Sequence, residues 1–186
     1  MSEDVVVNYG PLAGLVGTWK GDKGMDVAPE PDGESHIPYF ETITFSECGT
    51  VGNAETQNLA VLFYRQIVQK SENGEVFHDQ TGYWMWDEVA NTVIYSLTIP
   101  RAVAVLAGGQ ASSTETGAIA IHVASSAESP DWKIIESPFM RDNASTRSYT
   151  MDLELQGDEL SYEQTTIVDI YGKTFDHTDG NSLQRQ

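Results

Sequence analysis

Basic residues are scarce in this sequence, and cysteine is almost absent. The 186 residues include 10 Lys and Arg against 28 Asp and Glu, so the net charge is −18 at pH 7 with histidine neutral. A charge this negative repels phosphate backbones and anionic lipid head groups, and we therefore expect no nucleic-acid or membrane partner. The single cysteine, Cys48, excludes an internal disulfide and any zinc site built from several cysteines.

Long apolar runs and the familiar catalytic motifs are missing as well. The apolar stretch 102–109 is much shorter than the roughly 18–20 residues needed to span a bilayer. The sequence has no Gly-x-Ser-x-Gly elbow, no phosphate-binding glycine loop and no dinucleotide fingerprint, and no two histidines have the spacing of a zinc site. The start, Met1-Ser2-Glu3-Asp4, is acidic where a signal peptide would be basic, which favours a cytoplasmic location.

Apolar and polar residues alternate with a period of two along most of the chain, which favours strands over helices. Hydrophobic residues make up 40% of the sequence, enough for a sizeable core. Ten segments of strand type are separated by turn residues: 18–24, 37–45, 59–68, 76–86, 92–98, 102–106, 118–124, 132–137, 147–155 and 160–170. Short strands at such regular spacing predict an all-β protein, either a sandwich or an up-and-down antiparallel barrel.

The remaining segments predict little further structure. One short helical turn is expected at 11–15, where Pro11 stands at a favourable first helical position. Segment 28–35, with two prolines and three acids, predicts a polar loop. Residues 1–8 are expected to form a flexible N-terminal tail, and 9–186 a single domain without a linker.

Glycines surround a tryptophan in the first predicted strand. Gly17, Trp19, Gly21 and Gly24 form the pattern Gly-x-Trp-x-Gly-x-x-Gly. A Gly-x-Trp at this place is the entry motif of lipocalin-like and fatty-acid-binding-protein-like barrels, in which the tryptophan would plug the closed end and the glycines allow close approach of the chain. We expect Arg185, near the C-terminus, to stack on Trp19 and help to close the barrel.

Later segments complete a family pattern. In order they are the sequence YFETITF at 39–45, FHDQTGYW at 77–84, Pro100 with 102–109, Leu160-Ser161-Tyr162, and His177 followed by Leu183-Gln184-Arg185. In this order and spacing, from Pro11 to Arg185, the sequence resembles the nitrobindin family of haem-binding ten-stranded β-barrels, which are related in shape to fatty-acid-binding proteins. The resemblance implies a single antiparallel up-and-down barrel over 9–186.

The same resemblance implies a cofactor and a ligand for it. Family members bury ferric b-type haem under one axial histidine, bind nitric oxide on the opposite iron face, and are described as isomerising peroxynitrite to nitrate there. The histidine that matches here is His177, before the final Leu-x-Arg. An ungapped alignment of 172–183 instead places the family's histidine at Thr178. A shift of one residue in a strand reverses the face, whereas a terminal turn or bulge absorbs such a shift, so the alignment leaves both positions open.

Further haem contacts are predicted around the cavity. Arg101 follows Pro100 at a strand boundary and is expected to meet a haem propionate at the cavity mouth. Tyr83 and Met85 share one face of their strand, while Trp84 and Trp86 share the other. Alternation does not say which pair faces the cavity, and we name Tyr83 and Met85 as candidate haem contacts.

Two of the other three histidines are expected outside the cavity. We place His78 on the outer face of a hairpin and His36 in solvent. His122 lies on the strand face opposite Ile121 and Val123.

Three functions stay open from the sequence. The leading one is a cytoplasmic haem protein that binds nitric oxide or isomerises peroxynitrite, an activity implied by the resemblance only. The second is a haem-free carrier of a lipophilic small molecule, which the offset of His177 and the scarcity of basic residues favour. The third is a closed barrel with a filled core that binds a partner protein, including a second copy of the chain.

Overall fold

Ten antiparallel strands close into a barrel, with an eleventh short strand beside them. The structure is a computed structural model that describes residues 6–186. A 3-10 helix, Gly10–Leu15, precedes the first strand, and one α-helix, α1, spans Pro138–Asn143. The strands are β1 (Gly17–Glu30), β2 (Gly33–Ala54), β3 (Gln57–Lys70), β4 (Val76–Asp87), β5 (Thr92–Ile99), β6 (Val103–Ser113), β7 (Ile119–Ser126), β8 (Ile134–Glu136), β9 (Ala144–Gln156), β10 (Glu159–Ile170) and β11 (Lys173–Arg185).

Hydrogen bonds between β5 and β6 close the barrel. The neighbours follow the order β5-β4-β3-β2-β1-β11-β10-β9-β7-β6, and the β5–β6 pairing completes the circuit. The extra strand, β8, pairs with the first residues of β6. The predicted antiparallel all-β barrel of about ten strands, preceded by a short helical turn, is confirmed.

Two local predictions are wrong. Segment 28–35 is not a loop, because β1 and β2 stay paired as far as Glu30 and Gly33. Both faces of these strand ends are partly or fully exposed, so no apolar alternation marks them. The prediction of a single helical turn misses α1. The Ser137 hydroxyl caps this helix by accepting a hydrogen bond from the Met140 amide at 3.3 Å.

Sequence patterning also misses β11. No strand is predicted at 173–185, although β11 pairs with both β1 and β10 there. Its inward residues include His177, Asp179 and Asn181, which are polar, so the strand lacks the apolar periodicity that reveals a half-buried strand.

The 3-10 helix and Trp19 close one end of the barrel. Trp19 is 0% exposed, and its indole nitrogen donates to the Leu15 carbonyl oxygen at 2.7 Å. The Arg185 guanidinium lies 4.2 Å from the Trp19 ring centroid and donates to the carbonyl oxygens of Val16 and Gly14 at 2.6 Å each. Gly17 has φ +125°, a conformation that favours glycine.

Nearby glycines make room for bulky neighbours. A Cβ atom on Gly24 would collide with the Tyr39 ring, and one on Gly21 would collide with the Ser182 carbonyl oxygen. The glycines of the tryptophan motif therefore let β1 pack closely against residues of the neighbouring strands β2 and β11.

The interior has three layers between the closed end and the open end. Along β11 the inward residues are Leu183, then Asn181 and Asp179, then His177. Strand β2 shows the same order from the closed end to the open end, with apolar Ile43 nearer the closed end and polar Glu41 next to it. An apolar plug is thus followed by a polar layer, and beyond that layer lies a cavity.

Near its N-terminus the described chain contacts the barrel. Of the predicted tail at 1–8, residues 1–5 lie outside the described residues. Val7 packs against the core, and the Asn8 amide donates to Glu88 Oε1 at 3.1 Å. Within residues 6–186, no helix is long and apolar enough to cross a membrane.

Candidate functional site

A cavity of about 360 Å³ occupies the open end of the barrel. Its walls are largely apolar, and the apolar residues include Val68, Phe77, Leu97, Ile99, Val103, Val105, Met140, Val168 and Ile170. Its size lies in the ordinary range of small-molecule sites. The core is therefore not filled at this end, which argues against the third interpretation of the sequence.

His177 faces this cavity, and its neighbour Thr178 does not. His177 lines the cavity together with Asp26 and Thr166, whereas Thr178 lines a groove on the other face of β11. Because side chains alternate along β11, His177 points into the barrel and Thr178 points out of it.

An aspartate on the neighbouring strand holds the His177 ring. Asp26 Oδ1 lies 2.6 Å from His177 Nε2, and Asp26 is 7% exposed. Burial lowers the pKa of His177, but the hydrogen bond to Asp26 and the charges of Asp26 and Asp179 outweigh this effect and raise the pKa above its ordinary value. The pair has the carboxylate–histidine arrangement that fixes the ring of a metal-binding histidine.

Arg101 provides a cation at the rim. It stands in the turn between β5 and β6 and lines the cavity. Among residues 6–186, it makes no ion pair. An exposed guanidinium in this place is available to a carboxylate of a bound molecule.

The structure does not bring Tyr83 and Met85 to the cavity. Tyr83 is 45% exposed and packs edge-on against Phe63, with 5.7 Å between ring centroids. On the same strand, Trp84 and Trp86 point into the core and are 2% and 8% exposed. The candidate site therefore contains His177 and Arg101 from the sequence prediction, without Tyr83 and Met85.

Two cavity residues were not expected from the sequence. His78 lines the cavity, with Nε2 2.8 Å from Gln80 Oε1, so its predicted place on the outer face is wrong. Met140 reaches the cavity from α1. Strand alternation carried the signal for His78. It lies six positions before the buried Trp84 on β4, and residues an even number of positions apart along a strand share a face.

Beneath the cavity, hydrogen-bonded polar side chains cross the barrel. Glu41 is 1% exposed and accepts hydrogen bonds from Gln66 Nε2 at 2.5 Å and Asn181 Nδ2 at 2.9 Å. Gln66 Oε1 in turn accepts from Gln80 Nε2 at 2.9 Å. Burial, and then the charge of Asp179, raise the pKa of Glu41 to about 7.

The buried Glu41 should make the stability of the barrel depend on pH. Its carboxyl group has a pKa of about 7 when folded, against 4.5 ordinarily, so the folded protein keeps a proton that the unfolded chain releases between these values. This contribution to the free energy of unfolding is fully present below pH 4.5 and is lost as pH rises through about 7. The free energy of unfolding falls by about 3 kcal/mol over this range. In Glu41→Gln that part of the pH dependence should disappear.

Urea unfolding at several values between about pH 5 and about pH 8 measures this slope. Glu163→Gln is the matched control, because Glu163 is an exposed acid on β10, and it should keep the wild-type slope. An undiminished slope in Glu41→Gln would contradict the assignment.

Comparisons with known proteins agree with the barrel fold. Residues 8–185 match the family model described as the THAP4-like, heme-binding beta-barrel domain. The crystal structure of Rv2717c from M. tuberculosis is similar in fold, with a TM-score of 0.69, 23% sequence identity and 94% of each chain covered. A search of curated proteins gave no match. The implied relation to nitrobindin-like barrels is confirmed, and the chain belongs to the THAP4-like heme-binding beta-barrel domain family, whose cofactor is haem.

Proposed function

We propose that the open-end cavity would hold ferric b-type haem through His177, and that the protein loaded in this way binds nitric oxide or isomerises peroxynitrite to nitrate. The observation that carries the proposal is the position of His177, an inward imidazole held by Asp26 in a largely apolar cavity. Membership of a haem-binding family supports the cofactor. The two reactions are implied by the resemblance to nitrobindins.

The residues present suit haem in three respects. Asp26 holds Nε2 of the His177 ring, so Nδ1 is the nitrogen that would bind iron. The apolar wall, which includes Val105 and Val168, suits the macrocycle. Arg101 at the rim suits a propionate. In the part of the chain that the structure describes, no group of three or more His, Cys, Asp or Glu could hold a bare metal ion.

The protein's own contribution is positioning and exclusion of water. When bound, the ferric haem supplies the site at which nitric oxide or peroxynitrite reacts. Asp26 fixes the orientation of the His177 ring and accepts its N–H hydrogen bond. The apolar wall would exclude water from the cavity and leave room for a small molecule. Peroxynitrite and nitrate have the same atoms and charge, so the isomerisation needs no net proton from the protein.

A haem titration of purified protein, followed by the Soret absorption, tests the cofactor. Saturation at one haem per chain is the expected result. Haem-loaded protein should then bind nitric oxide, and it should accelerate the decay of peroxynitrite to nitrate above the rate seen with haem-free protein. Saturable haem binding without either reaction would leave a haem protein of another function.

Asp26 should control the pH at which haem binds. Iron binds a neutral imidazole, so haem affinity should rise as pH rises through the His177 pKa, which Asp26 raises. In Asp26→Asn the lost charge should move this midpoint to lower pH. The lost anchor should lower the affinity at high pH by about 10- to 100-fold. Soret titrations across pH measure both changes, and an unmoved midpoint would show that Asp26 does not act on the ligand.

A haem-free carrier of a lipophilic small molecule is the second candidate. The favouring observation is the largely apolar wall of the cavity, which can hold a lipophilic molecule without iron. Displacement of a fluorescent fatty-acid analogue distinguishes the two functions. A carrier should bind this probe equally well in wild type and in His177→Ala, and it should show no specific haem binding.

A further inference from the structure

A single side chain anchors helix α1 to the wall of the cavity. Of the six residues of α1, Met140 is partly buried and the other five are exposed. The Met140 side chain lines the cavity and packs against the apolar core. The apolar contact of α1 with the barrel therefore depends chiefly on the Met140 thioether.

The chain on either side of α1 is held in place. The Ser137 amide donates to the Ala102 carbonyl oxygen at 3.0 Å, and the Glu136 carboxylate accepts from the Thr146 amide at 2.7 Å. Segment 138–143 can therefore leave the cavity wall while both of its ends stay attached. Local openings of this kind cost little free energy where few apolar contacts are lost.

Met140 also gives the cavity a chemically reactive atom. Of the cavity-lining residues within 6–186, it is the only one that contains sulphur. Oxidation converts a thioether to a sulfoxide, which turns a flexible apolar side chain into a polar one. Arg101 stands at the same rim, so an anionic oxidant meets a cation there in an otherwise acidic protein.

We propose that Met140 is an oxidation site at which a peroxide, either hydrogen peroxide or peroxynitrite, releases α1 from the mouth of the cavity. The sulphur attacks one peroxide oxygen, and the S–O bond forms as the O–O bond breaks. Sulphur loses two electrons. The other oxygen leaves as water from hydrogen peroxide, taking up the proton of the transferred oxygen, or in nitrite from the peroxynitrite anion.

The sulfoxide weakens both the anchor and the cavity. Its polar oxygen does not suit the apolar wall, so the helix lifts and the cavity binds its ligand less tightly. Hydrogen peroxide and protein without haem are enough for this step, so it holds or fails independently of the proposed function.

Hydrogen–deuterium exchange of the full chain without haem tests the release of α1. The Arg141 amide donates to the Ser137 carbonyl oxygen at 3.0 Å, so exchange of a peptide that contains 138–143 reports on the helix. After treatment with hydrogen peroxide, peptide mapping should find sulfoxide at Met140. The same peptide should then exchange about tenfold faster, and haem affinity should fall by about the same factor.

Two substitutions of Met140 separate its oxidation from other damage. Met140→Leu keeps an apolar anchor without sulphur, so its α1 should stay protected after peroxide treatment. Met140→Gln brings in polarity without an oxidant, and its α1 should exchange fast from the start. Met25→Leu is the matched control, because Met25 is 42% exposed and lines the groove on the outer face of β11. It should respond to peroxide as the wild type does.

Three results would overturn the proposal. Met140 that stays reduced while Met25 is fully oxidised would show that peroxide does not reach the cavity wall. Unchanged exchange of α1 after complete oxidation of Met140 would show that the thioether is not the anchor. Equal acceleration in Met140→Leu would assign the effect to another residue. The exchange measurement decides the proposal whether or not the protein binds haem.

Discussion

Replacing His177 with alanine should lower the affinity for haem by at least about 100-fold, since loss of a partner that merely orients a metal ligand already costs about 10- to 100-fold. His177 is the histidine that Asp26 holds at 2.6 Å inside the open-end cavity. Removing it takes away the proposed iron ligand and leaves the apolar wall in place. A Soret titration of the variant beside the wild type measures the loss.

His122→Ala is the matched control for this substitution. The His122 imidazole lies on the outer face of β7, 2.7 Å from Asp152, so it too is a histidine paired with a carboxylate. Its replacement should leave the haem titration unchanged. Equal haem binding by the wild type and His177→Ala would remove His177 from the site and point to another ligand, with His78 as the next imidazole in the cavity.

Replacing Trp19 with alanine should cost about 3–5 kcal/mol of folding free energy. The ring is 0% exposed, its indole N–H is satisfied by the Leu15 carbonyl, and Arg185 covers it at 4.2 Å. The variant would lose the plug of the closed end and leave a cavity that its neighbours fill only in part. Urea or thermal unfolding measures the change.

Trp132→Ala is a suitable comparison, because Trp132 is half-buried and packs over Gly108. Its replacement should destabilise the protein much less. A similar loss in the two variants would contradict the role of Trp19 as the plug. Arg185→Gln should lie between them, since it removes the ring contact and the hydrogen bonds to Val16 and Gly14 but creates no large cavity.

The barrel itself was predictable because most of its strands bury an apolar face. Where Ile43 and Phe45 alternate with Thr42 and Thr44, the period of two reports both the strand and its inward side. The paired ends of β1 and β2 carry no such signal, because residues such as Glu30 meet water on either face. A strand with two exposed faces resembles a loop in sequence.

The candidate site was less predictable for the same physical reason. The interior next to the cavity is polar, so the inward face of β11 reads His177, Asp179 and Asn181, which resembles an exposed segment. On β4 the apolar pattern was present on both faces, since Tyr83 and Met85 alternate with Trp84 and Trp86. Only three-dimensional packing shows that the tryptophans point inward.

Asp26 and Glu41 illustrate a further limit of sequence reasoning. Among 28 acidic residues, nothing in composition or spacing distinguishes these two from solvated surface acids. Their roles depend on β1 lying beside β11 and on β2 facing β10 and β11 across the interior. Contacts between residues more than 100 positions apart in sequence require the fold.

Rescue of His177→Gly by free imidazole is the most direct test of His177 as the haem ligand. The glycine variant leaves space for one imidazole beside Asp26, and a free imidazole that is not attached to the chain can take the place of the lost ring. We predict weak haem binding by the variant alone, and recovery of the wild-type Soret spectrum when imidazole is added. Recovery should be weaker in the Asp26→Asn background. A His177→Gly protein that binds haem with the wild-type spectrum in the absence of imidazole would contradict the assignment.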